Sequence, residues 1–181
     1  MPRYVAFFGS INVGSNRITM ADLRWALERE EFEEVETVVA SGNVLFTHED
    51  RPTPGLEDKL AHVLRHRFDI PSFAAVRDQA ELAEAISGNP FAADGDPAKV
   101  HTLFLNGEAD PDAFAKMQAD WANRGPERIA LGQRSLYLDY VDGVGQSKLS
   151  NAFIERRLGL RGTARNIRSL QRIMAKLAEG N

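Results

Sequence analysis

The residues whose types and spacing could do chemistry fall in two groups. The first joins the loop Gly9-Ser10-Ile11-Asn12-Val13-Gly14-Ser15-Asn16 to the tight turn Ser41-Gly42-Asn43. Its glycines would let backbone amides approach a ligand, and its small polar side chains can donate or accept hydrogen bonds. A helix follows directly, and a helix N-terminus favours anions. Asn12, Gly14, Asn16, Ser41 and Asn43 are the candidate contacts. The spacing Gly9…Gly14 is not a dinucleotide fingerprint, and no P-loop lysine follows it. Ordinary turn chemistry explains the same residue types. The second group is Ser147, Lys148, Arg165 and Asn166, with Gly143 and Gly145 nearby. Two helix starts with a lysine and an arginine would suit a phosphate or a carboxylate. Helix capping and a surface ion pair are the competing explanation.

Other chemistry-bearing residues give less. His62 and His66 lie four apart on one helix with Asp58 a turn earlier, on the face opposite Leu56, Leu60 and Val63. That is the pattern of a solvated face, so no metal site is assigned. His48-Glu49-Asp50 and Asp94-Gly95-Asp96 match no calcium loop. Asp139 and Asp142 form no defined acid/base pair. There is no nucleophile elbow, and the chain has no cysteine, which excludes disulfides and thiolate chemistry. No cofactor is implied, and no catalytic signature names a reaction. Trp25 and Trp121 both sit at core-like helical spacing.

The elements that must position these groups follow from periodicity. Residues 3–8 form an apolar strand. Thr19 caps a helix carrying Met20, Leu23 and Leu27. Strands over 35–40 and 43–47 flank the Ser41-Gly42-Asn43 turn. A helix capped by Thr53, with Pro54 at its first position, carries Leu56, Leu60, Val63 and Leu64. A strand over 72–77 completes βαββαβ, the split β-α-β order of ferredoxin-like folds. A short helix over 79–87 leads into a loop rich in Asn, Pro, Gly and Asp, which reads as a linker over 89–97.

The order then restarts. A strand spans 100–105, and Asp110-Pro111 opens a helix with Phe114, Met117 and Trp121. Strands over 127–131 and 135–141 follow, then a helix over 148–158 closed by Gly159. A short strand lies near Thr163, and Asn166 caps a last helix over 167–177. The expected fold is therefore α+β: two successive ferredoxin-like units, 1–88 and 98–181, each βαββαβ, with an added helix before the linker and another at the C-terminus. Both faces of the first strand in each unit are apolar, whereas a half-exposed sheet should alternate. Both sheet faces should then be covered, which argues against an open sheet that stacks RNA bases.

An apolar fraction of 43% and a charged fraction of 27% are those of a globular protein. No stretch approaches the roughly 20 apolar residues that span a bilayer. The start, Met-Pro-Arg-Tyr-Val-Ala-Phe-Phe, reads as a strand rather than a secretory signal. A cytoplasmic protein with no membrane partner is expected. The net charge is −4, but Lys148 to Lys176 carries eight basic residues and one acidic, leaving −11 on the remainder. Arg165, Arg168, Arg172 and Lys176 form a stripe that could track nucleic-acid phosphates, although Ile167, Leu170, Ile173, Met174 and Leu177 make the last helix an ordinary amphipathic one.

The stretches GSINVGSNRITMADLR (9–24), VVASGNVLF (38–46), NPF (89–91), SKL (147–149) and TARN (163–166) resemble the bacterial family called domain of unknown function 1697. The resemblance implies a paired ferredoxin-like α+β fold and no established activity. The family's first loop usually reads Arg-Gly-Ile-Asn-Val-Gly-Gly, so its arginine falls on Gly9 here, and its usual aromatic after Arg-Asn falls on Ile167. If the family holds an anion with that arginine, this member lacks the contact. Binding of a small anionic ligand at one or both loop clusters is the leading functional expectation. A nucleic-acid-associated protein and a protein–protein adaptor are the alternatives.

Overall fold

A computed structural model describes residues 1–11, 17–39 and 42–180. The chain forms two four-stranded antiparallel sheets with the same strand order. The first contains β1 (Arg3–Gly9), β2 (Glu33–Thr37), β3 (Asn43–Thr47) and β4 (Phe73–Asp78), in the order β2-β3-β1-β4. Helices α1 (Met20–Glu28) and α2 (Thr53–Phe68) supply its crossovers. After α3 (Gln79–Ser87) the second sheet repeats the plan. It is built from β5 (Val100–Leu105), β6 (Arg128–Gly132), β7 (Ser135–Asp139) and β8 (Gly162–Asn166), in the order β6-β7-β5-β8, with crossovers α4 (Pro111–Trp121) and α5 (Asn151–Leu158). The last helix is α6 (Ile167–Glu179). This is the α+β fold of two βαββαβ units expected from the sequence, including the short final strand.

Period-2 alternation builds each core. In the first unit Tyr4, Ala6 and Phe8 pack with Leu23 and Leu27 of α1 and Leu56, Leu60 and Leu64 of α2. In the second, Leu103 and Leu105 pack with Phe114, Met117 and Trp121 of α4 and Ile154 of α5. The opposite faces are buried too: Val5, Phe7, Thr102 and Phe104 have no exposed surface. On that side of the second sheet, the Thr102 hydroxyl donates to the Ala85 carbonyl of α3 at 2.7 Å. In the first unit, Arg3 Nη1 donates to the Lys176 carbonyl at 2.9 Å and ties β1 to the end of α6.

The compact units are Met1–Glu81 with Arg172–Asn181, and Leu82–Gln171. Residues 89–97, whose composition suggests a linker, fold as turns of the second unit. Asn89 is buried, donates to the His101 carbonyl and accepts from Phe91 N–H. Arg128 reaches this loop through Asp94 and lies over the Phe91 ring.

Local differences from the sequence reading have physical causes. Thr53 is not a cap: Pro52 holds that position, and the Thr53 hydroxyl donates to Glu81 instead. The fifth helix starts at Asn151 rather than 148, because Ser150 accepts from Phe153 N–H and a 3-10 turn (Val144–Gln146) precedes it. Trp25 is half exposed rather than buried, with the Arg29 guanidinium 3.6 Å from its ring centre.

One buried ion pair fastens α2 to the edge strand β4. Glu57 Oε2 accepts from Arg77 Nη1 at 2.9 Å and from the Val76 amide at 2.8 Å, and both side chains are nearly out of water. Removing the carboxylate takes the buried counter-charge from Arg77 and an acceptor from the Val76 amide. Glu57→Ala is expected to cost about 3–5 kcal/mol in unfolding free energy by urea titration.

Candidate functional site

The described residues include only part of the sequence-derived clusters. Asn12, Gly14, Asn16 and Ser41 lie outside the described residues. Asn43 is buried in β3, opposite Phe7 of β1. Gly9, the position of the family arginine, lies against Phe73, where an added Cβ would come within 2.6 Å of the ring.

In the second cluster, strand alternation decides the outcome. Arg165 pairs with Thr102, and its Nη1 donates to the Thr163 hydroxyl two residues away along the same strand. Burial lowers the Arg165 guanidinium to about 10. Ala164, between them, belongs instead to the core under α4 and α5. Asn166 accepts from Ser169 N–H at 2.8 Å and caps α6. Lys148 is exposed. Of the four, Ser147 alone lines a cavity described below. Arg168, Arg172 and Lys176 are exposed along α6 without Arg165, which belongs to β8.

That cavity, of about 480 Å³, lies in the second unit between the start of β5, the end of β7 and the start of α5. Its volume is within the range of small-molecule sites. Its walls include His101, Tyr140, Ser147, Leu149, Ser150 and Asn151. His101 alternates with Leu103 and Leu105 on β5 and therefore faces the helix layer. Its Nδ1 lies 3.1 Å from the Lys99 carbonyl oxygen. A carbonyl only accepts, so Nδ1 carries the hydrogen and Nε2 of the neutral ring presents a lone pair. Burial holds the imidazole below its ordinary 6.5, against opposing pulls from the Lys99 carbonyl and Asp139.

Tyr140 stands edge-on to His101, with ring centroids 4.9 Å apart. It is only 3% exposed, and burial, with a smaller push from Glu127, drives its phenol up to about 12. Its hydroxyl is a donor at neutral pH, and no hydrogen-bond partner meets it among the described residues. The ring is buried, but the hydroxyl oxygen is not among the polar atoms cut off from solvent, so water can serve it in the free protein.

The backbone around Tyr140 is held firmly. Asp139 accepts from Arg128 and from Val141 N–H. Val141 sits at φ 59°, left-handed for a β-branched residue, and the Asp142 amide donates back to the Tyr140 carbonyl. Such a conformation costs on the order of 1–3 kcal/mol and persists only where the surroundings enforce it. Ser147 donates to Glu127 at 2.7 Å and accepts from Leu149 N–H, so its hydroxyl is already engaged.

The first unit has a cleft in the equivalent place. Tyr4 pairs with Phe46 and Asp78 as His101 pairs with Leu138 and Asn166. This cleft also measures about 480 Å³, but its polar groups bond one another. Tyr4 meets the Arg51 backbone, Thr53 donates to Glu81, and Asp78 and Glu81 accept from each other's amides. The His62 and His66 rings stack 5.3 Å apart, and among the described residues no group of three His, Asp or Glu could hold a metal.

Sequence reasoning passed over His101 and Tyr140. A histidine between Val100 and Leu103 looks like a core residue, and a tyrosine ending a strand looks like packing. The one available signal was the histidine on the apolar face of β5.

The family model of DUF1697, proteins of unknown function, matches residues 1–137, and the chain belongs to that family. No curated protein sequence matches the chain. The fold is similar to that of the conserved bacterial protein SP0830 from Streptococcus pneumoniae, with a TM-score of 0.75 and 22% identity over 98% of this chain and 99% of that one. No helix among the described residues is long and apolar enough to cross a membrane.

The depressed His101 value has a measurable consequence. Unfolded histidine titrates near 6.5, above the folded value. In the interval between them the unfolded chain binds more protons, so stability present above 6.5 is lost as pH falls through the folded value. Urea titrations at stepped pH should show this slope, and His101→Gln should reduce it.

Proposed function

We propose that this family member binds a small organic anion, carrying a phosphate or carboxylate, in the cavity of the second unit. The carrying observation is Tyr140, which lines the cavity and whose hydroxyl, a donor still open to solvent, has no protein partner among the described residues. The start of α5 supports it. Ser150 takes the Phe153 amide, and the amides of the first helical residues have no intrahelical acceptor. They carry the positive end of the helix dipole. No carboxylate side chain lines the cavity among the described residues. Glu127, behind Ser147, is occupied by that hydroxyl and by the Trp121 indole N–H. Lys148 stands exposed two residues before the cap and adds long-range attraction. The apolar lining from Val144, Leu149 and Ala164 suits an organic body rather than a bare inorganic ion.

Thermal-shift measurements against phosphorylated and carboxylated metabolites test this reading. A ligand at 100 times its Kd should stabilise the protein by about 2.7 kcal/mol. Tyr140→Phe should weaken that ligand by about 1 kcal/mol, roughly fivefold, while unfolding free energy changes by less than about 0.5 kcal/mol. Lys148→Ala should lower the salt dependence of binding. A panel in which no anion shifts the melting temperature would overturn the assignment.

A further inference from the structure

The polar groups of the cavity are unequal in kind. Tyr140, the Ser150 hydroxyl and the first-turn amides of α5 can all donate, the Asn151 side chain can donate or accept, and the Thr163 oxygen already accepts from Arg165. Ser147 has its donor on Glu127 and its acceptor on Leu149 N–H. Against these donors stands His101 Nε2. Its ring is fixed by the Lys99 carbonyl on the other nitrogen and by Tyr140 at its side. We infer that the anion bound in this cavity also carries a hydroxyl, which donates its hydrogen bond to His101 Nε2.

This rests on the reading of the cavity as an anion site and narrows its ligand class to hydroxylated carboxylates and phosphate monoesters. The physical ground is the asymmetry between a made and an unmade hydrogen bond. A ligand without a donor would cover Nε2 and remove it from water with nothing in return. Sites built to bond a ligand hydroxyl reject the analogue that lacks it far more strongly than apolar pockets sort ligands by size. Burial favours the neutral ring, which keeps Nε2 an acceptor.

Two matched pairs of probes isolate the hydroxyl: lactate against propionate, and glycerol 3-phosphate against propyl phosphate. Within each pair the anionic group is the same. Calorimetry on the full chain at neutral pH should show the hydroxylated member of at least one pair binding about tenfold tighter or more. His101→Gln, which keeps an acceptor, should retain most of that preference, and His101→Phe should reduce it to about twofold or less. Nitrogen NMR of His101 in the complex should show Nε2 unprotonated. Equal affinity within both pairs, a preference that survives His101→Phe, or an imidazolium in the complex would each overturn the inference while leaving an anion site standing. Absence of binding by all four probes, together with a flat thermal-shift panel, would remove the anion site and this inference with it.

Discussion

Side chains on a β-strand alternate between faces, and on β5 that alternation decides which polar groups can meet. His101, Leu103 and Leu105 point to the layer of α4 and α5. Thr102 points the other way, where its hydroxyl meets the Ala85 carbonyl. Because β8 is in register with β5, the same rule sends Arg165 to the side of Thr102 and leaves Ala164 under the helices. The cavity at the start of α5 thus receives a neutral imidazole and a phenol rather than two cations. A one-residue slip of β8 would exchange them, and the packing of Ala164 against the helix layer opposes that slip.

The two units show what one plan can do with different side chains. Strand order is the same, the pairings of the central strand correspond, and each unit opens a cleft between its first strand and the start of its second crossover helix. In the first, Asp78 and Glu81 close a reciprocal pair of backbone hydrogen bonds at the start of α3, and Tyr4 is taken by Arg51. Donors and acceptors there satisfy one another, and the cleft has structural work. In the second, β8 runs into α6 through Asn166, which turns to cap Ser169 and leaves His101 and Tyr140 without such neighbours. The divergence therefore comes from a few side chains at strand ends, on a backbone plan that hardly changes.

The architecture was largely legible because it rests on local patterns. Alternation marked the strands, the spacing of Leu56, Leu60 and Leu64 marked α2, and apolar residues on both faces of β1 and β5 predicted sheets covered on both sides. The linker was misleading, since Asn89, Asp94 and Gly95 are turn formers whether a turn is packed or free. What packs this one is the bond from buried Asn89 to the His101 carbonyl and the tie from exposed Asp94 to Arg128, both made to residues distant in sequence. The site was legible only in part. Of the second cluster Ser147 lines the cavity, whereas Arg165 stands on the Thr102 face of the sheet, which topology alone does not reveal. Tyr140 could not be found by composition, since what distinguishes it is a missing partner, and a missing partner is a property of the folded surroundings.

Three features near that cavity run against the preferences of a folded chain. The hydroxyl of a buried tyrosine has no protein partner among the described residues, a valine is held left-handed, and a histidine is kept on an apolar strand face. Each has a simpler alternative: phenylalanine for Tyr140, glycine or asparagine for Val141, leucine for His101. Elsewhere in the same unit polar groups are paired closely, as in the Asp94–Arg128–Asp139 network. Local departures of this kind tend to gather at functional sites, where the surrounding structure sustains them. Here the Arg128 network and the cap at Ser150 do so: the first holds the turn after Tyr140 in place, and the second fixes the start of α5. The hydrogen-bonded parts of this unit thus flank Tyr140 and His101, the arrangement that the proposed binding site would use.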